Sequence, residues 1–400
     1  MQWLLINQET FIWINKEKGL IYDCDKFVSF TFNLNARIME ICNELLCPSN
    51  LNSTIITSED LSNENTFNWI TALVYKYQIG KIINENNKRP ISLRPILKLQ
   101  NDVNFYKNEH NIGEGGSIVR NIHELYFYIN PSISGNNNFY KQLPYPLKEG
   151  PILGMDKILQ FVKSCNNPFL LNVSLVGNIF TYPNYERLVD KIAGLVKNVI
   201  ISITYIDLIS NKNQLLEISM LQNISINVLF DCQPYDLIEL HEFTFPMKLI
   251  FPVLSEDNYN QISEMINDIP DNYEAQIVPI FNGRNIDFFE NYVFVSQEDI
   301  NTIKITKREV FIHQTLNSND FGKIFILSDG SVHTNVNFEP IGSINNSPYS
   351  IVFKEITEGN SWLRIRNQKP CTNCIYQWLC PSPNNYELAF GKPNLCHIKP

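Results

Sequence analysis

The chain of 400 residues has no apolar run approaching the 18 or so residues that span a bilayer, so no membrane helix is expected. The opening MQWLLINQETFIWIN has no basic n-region, and polar residues interrupt its apolar stretch early, which is not the pattern of a secretory signal. A cytoplasmic protein is the expectation. Basic residues are also scarce: 32 Lys and Arg stand against 41 Asp and Glu, for a net charge of −9. They form no dense run, and the pair Lys88-Arg89 reads as solvated linker, so nucleic acid is excluded as a partner. The six histidines (His110, His123, His241, His313, His333 and His397) form no HExxH and no i,i+4 pair. There is no G-x-S-x-G elbow. Gly113-Glu114-Gly115-Gly116 follows no strand and precedes no Lys-Ser/Thr, which argues against a phosphate loop. No repeat of 20–50 residues and no low-complexity tract is present.

What the chain has is core-forming material, with 44% hydrophobic and 12% aromatic residues, enough for two or three domains. Residues 1–83 read as a small α+β unit. Short strands are expected at Met1–Asn7, Phe11–Asn15 and Gly19–Asp23. Lys26–Phe32 alternates Phe27, Ser29 and Thr31 against Val28, Phe30 and Phe32, the period of a strand. Asn33 or Asn35 then caps a helix through Leu46, and a second helix carries Phe67, Ile70, Val74 and Tyr77 on one side. Residues 84–117 are crowded with Asn, Lys, Pro and Gly and read as a linker.

From 118 to 326 strands alternate with helices. Six strands are expected, at His123–Ile129, Phe169–Leu175, Val199–Ile206, Ile224–Phe230, Met247–Val253 and Gln276–Phe281. Helices are expected at Met155–Lys163, after a cap at Asn184, at Lys212–Leu221 and near Tyr259–Ile269. Near-continuous apolar strands between helices predict an α/β fold with a parallel sheet buried on both faces. Six strands are too few to close an eight-stranded barrel, so a curved partial barrel is expected. Residues 327–400 form a turn-rich tail.

The nine cysteines are distributed unevenly. Cys24, Cys42, Cys47, Cys165 and Cys232 are scattered, and Cys232, beside Asp231 at a strand end, reads as a core thiol rather than a nucleophile. Cys371, Cys374, Cys380 and Cys396 fall within the last 30 residues. A C-x2-C pair sets two thiolates on one side of a tight turn, and two further cysteines can complete a four-thiolate shell. That shell suits an iron–sulfur cluster or a zinc ion, and spacing alone leaves both open.

The tail Cys371-Thr-Asn-Cys374-Ile-Tyr-Gln-Trp-Leu-Cys380 followed by Cys396 resembles the SPASM domain of radical SAM enzymes. The resemblance implies that these four cysteines ligate the second auxiliary [4Fe–4S] cluster of that domain. The cysteines of the first auxiliary cluster are missing: Asn384 and Ser347 stand where two belong, and Asp329–Thr334 offers none. The C-x3-C-x2-C that a radical SAM enzyme carries after its first strand is also missing, since INPSISGNNNFYKQLPY holds no cysteine. Val176-Gly177-Asn178-Ile179 replaces the GGEP that contacts SAM. The chain therefore resembles the pseudo-radical-SAM/SPASM proteins that mature ribosomal peptides with double-glycine leaders. Its first 83 residues, strands then helices, resemble the winged-helix RiPP recognition element.

The resemblance implies a partial (β/α)6 radical-SAM-like barrel (118–326), an N-terminal docking domain (1–83) and a SPASM-like tail (327–400). It implies one [4Fe–4S] cluster, no SAM cleavage, a precursor peptide and a radical SAM enzyme as partners, and little independent catalysis. The peptide would add to the edge Lys26–Phe32 against the helix Asn65–Tyr77, with Lys26, Phe27, Ser29, Thr31, Phe67, Ile70 and Val74 as contacts. Two alternatives remain open: a peptide-modifying enzyme with non-radical chemistry in the barrel mouth, and a zinc-stapled peptide-binding scaffold.

Overall fold

The computed structural model describes residues 2–84, 88–93, 115–136, 139–219, 223–233, 237, 240, 242–243, 245–267, 269 and 272–398. Most of the expected linker 84–117 lies outside them. Among the described residues no helix is long and apolar enough to cross a membrane.

Residues 2–84 hold two three-stranded antiparallel sheets. In the first, β1 (Gln2–Ile6) lies between β5 (Ser53–Ile56) and β6 (Gly80–Asn84); the second is β2 (Thr10–Ile14), β3 (Lys18–Asp23) and β4 (Val28–Asn33) in order. Asn15 makes the β2–β3 turn by accepting from the amides of Glu17 and Lys18 at 2.9 and 2.7 Å. Asn35 caps α1 (Ala36–Leu46), whose Ile38, Ile41, Cys42 and Leu45 are buried on one face. Two helices follow, α2 (Ser58–Ser62) and α3 (Glu64–Thr71), the latter prolonged by a wide turn over Ala72–Lys76. Leu4, Ile12, Ile21, Trp69 and Ile70 join the α1 face in one core.

Among the described residues, those from Glu124 to Ser343 are built on an open nine-stranded sheet. Its parallel part runs β7 (Glu124–Tyr128), β8 (Asn172–Val176), β9 (Asn198–Thr204), β10 (Ile224–Leu229), β11 (Met247–Val253) and β12 (Glu274–Pro279) in unbroken order. The helices between these strands are α4 (Met155–Cys165), α5 (Tyr185–Ala193), α6 (Tyr205–Ser210), α7 (Lys212–Ser219) and α8 (Glu256–Ile266). After α9 (Ile286–Tyr292), α10 (Gln297–Thr302) and α11 (Lys307–Thr315), β13 (Lys323–Ile326) returns to pair with β7 in parallel. Then β14 (Ser331–His333) and β15 (Gly342–Ser343) extend the sheet antiparallel, and α12 (Pro348–Glu358) and α13 (Asn385–Phe390) complete the chain.

Two sequence expectations need correction. Asn184 does not cap α5 through its side chain: it sits in the left-handed region at φ 55°, which asparagine tolerates, and makes no capping bond. The sheet is also not apolar on both faces. Leu125, Phe127, Val173, Leu175, Val199 and Ile201 meet Ile158, Val162, Leu188 and Ile192 of the helices in the main core. The alternate residues face inward and include Asn172, Ser174, Asn198 and Ser202, a polar lining. Asn172, Asn198 and Ser225 are bonded in a row across three strands at 3.3 and 3.1 Å.

Candidate metal centre, peptide-docking edge and barrel mouth

The four tail cysteines come together. A short helical turn at Cys371–Asn373 carries Cys371 into Cys374, whose amide donates to the Cys371 carbonyl at 3.0 Å. Cys371, Cys374, Cys380 and Cys396 line one small cavity with Val295, Leu395 and Arg366. The strand-like bridge between Val295 and Cys396 holds the last cysteine in place. No cysteine is in a disulfide. Burial raises the thiol pKa of Cys371 and Cys374, and that of Cys380 to about 12. The Arg366 guanidinium opposes that rise at all three. Although the thiols share a cavity, among the described residues no three His, Cys, Asp or Glu side chains stand close enough to form a ready metal-ion site.

This centre lies directly behind the β2–β3–β4 sheet. Phe11, Leu20, Tyr22 and Cys24 of that sheet and the turn after β3 share a core with Ile375, Tyr376 and Leu379, residues of the cysteine loop, and with Ile300, Ile305 and Val310. Tyr22 closes the contact by donating to the Ile305 carbonyl at 2.9 Å while accepting from its amide at 2.8 Å.

The outer edge of β4 is open, because among the described residues β4 pairs only with β3. The amide of Leu34 donates to Glu17, so hydrogen-bonded pairs recur at Phe32, Phe30 and Val28. The backbone groups of Ser29, Thr31 and Asn33 therefore point away from the sheet. The side chains of Ser29 and Thr31 turn toward what lies behind the sheet: Ser29 bonds Asn301 of α10 at 3.4 Å, and Thr31 lines a cavity with Tyr376. Beside the edge is a cavity of about 590 Å³ lined by Thr31, Phe32, Asn33, Cys374, Tyr376 and His397.

The other residues expected to contact peptide are less uniform. Lys26 and Phe27 precede β4, Lys26 donating to Gln78 at 2.8 Å and Phe27 packing toward the cysteine loop. Ile70 is in the core, Val74 packs against it, and Phe67 is 45% exposed. Phe30 stacks on Tyr77 with ring centres 4.7 Å apart, and Phe32 meets Trp69 at 5.4 Å, so β4 and α3 already touch.

The barrel mouth is filled from within. At the ends of β7, β8 and β9, Asp207 accepts from Ser132, Asn178 and Thr204 at 2.5, 2.8 and 2.8 Å. Asn130 donates to the Asn178 carbonyl at 2.7 Å and to Thr181 at 2.9 Å. Gly177 at φ 138° passes so close to Asn130 that a Cβ would lie 2.5 Å from its oxygen, so glycine is required there. Phe139, Leu143 and Tyr145, from the loop after β7, pack on Leu229 and Ile280 inside the sheet. Gln142 pins that loop, bonding both the amide and the carbonyl of Phe281 at 2.8 Å. Sequence reasoning missed Asp207, this plug and Arg366; the Thr204-x-x-Asp207 capping pattern and the Arg364-x-Arg366 pair before the cysteines were the available signals.

No protein-family profile and no curated protein matches the sequence. In fold the chain is similar to Streptococcus suis SuiB, in its crystal structure bound to precursor peptide SuiA. The TM-score is 0.50 and the identity 11%, over 99% of this chain and 99% of that chain. A second crystal structure of SuiB gives 0.44 at 12% identity, and SuiB bound to S-adenosylmethionine 0.42 at 11%, each over 98% of this chain and 100% of that one. At such identity the likeness concerns the fold, a mixed α/β architecture around a large parallel sheet.

Proposed function

We propose that this chain is an iron–sulfur accessory protein in the maturation of a ribosomally made peptide. It takes the precursor's leader as an added strand on β4, holds one [4Fe–4S] cluster on Cys371, Cys374, Cys380 and Cys396, docks a radical SAM enzyme, and does not cleave SAM itself. The observation that carries the reading is the juxtaposition of an open strand edge and a four-thiol cavity, joined by a second cavity that Thr31, Cys374 and Tyr376 line together.

The donor set suits such a cluster, since the cavity offers four thiols and neither imidazole nor carboxylate. When bound, the cluster would supply one-electron transfer. The barrel argues for the lack of SAM chemistry: where the resembled enzymes hold SAM, this chain has the Asp207 network and the Phe139–Tyr145 plug. The Ser29, Thr31 and Asn33 amides offer the ladder that strand addition uses. The similarity to a fold crystallised with its precursor peptide fits a peptide partner.

The test is anaerobic incubation of the reconstituted protein with SAM and dithionite, followed by a pull-down with the tagged leader of a double-glycine precursor. The expected result is capture of the protein by the leader, no calorimetric SAM binding and no 5′-deoxyadenosine. SAM cleavage by the isolated chain, or no leader capture, contradicts the proposal.

A further inference from the structure

Arg366 is a buried cation at the thiol cavity. Its side chain is 9% exposed and its partner Glu387 is 4% exposed, and they form an ion pair at 2.8 Å. The guanidinium Nε also donates to the Pro381 carbonyl at 2.6 Å, next to Cys380. It lines the thiol cavity, and its charge opposes the burial-driven rise in the thiol pKa of Cys371, Cys374 and Cys380. Its neighbour Arg364 is engaged elsewhere, 3.5 Å from Asp320. Glu387 is held in turn as the N3 residue of the α13 capping box, accepting from the Asn384 amide at 2.6 Å.

A buried guanidinium is costly to desolvate, and one carboxylate balances it without explaining why it faces three thiols. A four-thiolate iron–sulfur centre is anionic, and its potential depends on nearby charge, on hydrogen bonds to sulfur and on solvent exposure. We propose that the Arg366–Glu387 pair tunes the reduction potential of the cysteine centre, with Arg366 favouring the reduced, more negative cluster and Glu387 limiting that bias. The inference rests on the cluster assigned above. The step is transfer of one electron from dithionite to the oxidised cluster, with no bond made or broken in the protein.

The experiment is an anaerobic redox titration of the reconstituted full chain, followed by absorbance and by EPR, for wild type, Arg366→Gln, Arg366→Lys and Glu387→Gln. Loss of the guanidinium charge should lower the reduced-to-oxidised ratio at a fixed potential at least tenfold, which is 59 mV for one electron. Glu387→Gln should shift it the opposite way while keeping the helix cap, and Arg366→Lys should stay near wild type. A merely structural pair would move the Gln variants in the same direction or not at all, and either result overturns the proposal. If Arg366→Gln fails to load, the upward shift in Glu387→Gln decides. If wild type itself holds no iron, the cluster assignment fails, and this proposal falls with it.

Discussion

The Ser132 hydroxyl donates to Asp207 at 2.5 Å, tying the loop after β7 to the first turn of α6 across the mouth of the sheet. Asp207 takes two further side-chain bonds there and is 5% exposed. Three donors from the ends of three successive strands thus converge on one carboxylate, while Asn130 Oδ1 and Ser134 Oγ close by are buried without a hydrogen-bond partner.

Asp207→Ala should therefore destabilise the protein strongly. It leaves buried donors of Ser132, Asn178 and Thr204 unpaired, and unpaired buried groups cost about 1–3 kcal/mol each before relaxation. A loss of roughly 3 kcal/mol or more in urea unfolding of this region is expected, with no gain of SAM binding. A stability unchanged from wild type would show that the network does not hold the mouth together.

Much of this architecture was legible from residue order. The six parallel strands lie where apolar runs alternate with amphipathic helices, and Asn35 caps α1 as its spacing suggests. The polar inner face was harder to see, because Ser174 and Ser202 are single small residues inside strands dominated by branched apolar neighbours. The plug of Phe139, Leu143 and Tyr145 is irregular backbone with no period to read. The Arg366–Glu387 pair spans two elements, and sequence spacing carries no signal for such a contact. The convergence of Cys371, Cys374, Cys380 and Cys396 was suggested by C-x2-C spacing, whereas their seat behind the β2–β4 sheet depends on tertiary packing.

Ser29→Pro tests the docking edge. The Ser29 amide points outward, so proline removes a donor from the free edge and not from the β3–β4 ladder. Leader binding, measured by anisotropy of a labelled peptide, should weaken about tenfold or more, the scale of one lost hydrogen bond. Iron content and the fold of residues 2–84 should not change. Undiminished binding would remove β4 as the docking strand.

The N-terminal unit should carry an acid-sensitive tie. Asp60 accepts from Arg37 Nε and Nη2, at 2.6 and 3.0 Å, and also caps α2. Arg37 holds the Asp60 carboxyl below the usual carboxylate range. A depressed carboxylate contributes stability in full above its unfolded value, about pH 4, and that contribution is lost as pH falls through the lower native value. Asp60→Ala should cost about 1 kcal/mol at neutral pH, the scale of one helix cap. Its Trp69 fluorescence unfolding curve should converge on wild type as the medium is acidified. A gap that persists to the most acid point would contradict the Arg37–Asp60 account.

What the four thiols hold decides the function of the tail. Metal and acid-labile sulfide analysis of anaerobically purified and reconstituted protein measures that directly. Wild type should carry about four irons and four sulfides per chain, and Cys374→Ala should lose them. One zinc per chain, with no sulfide and no visible charge-transfer absorbance, would contradict it.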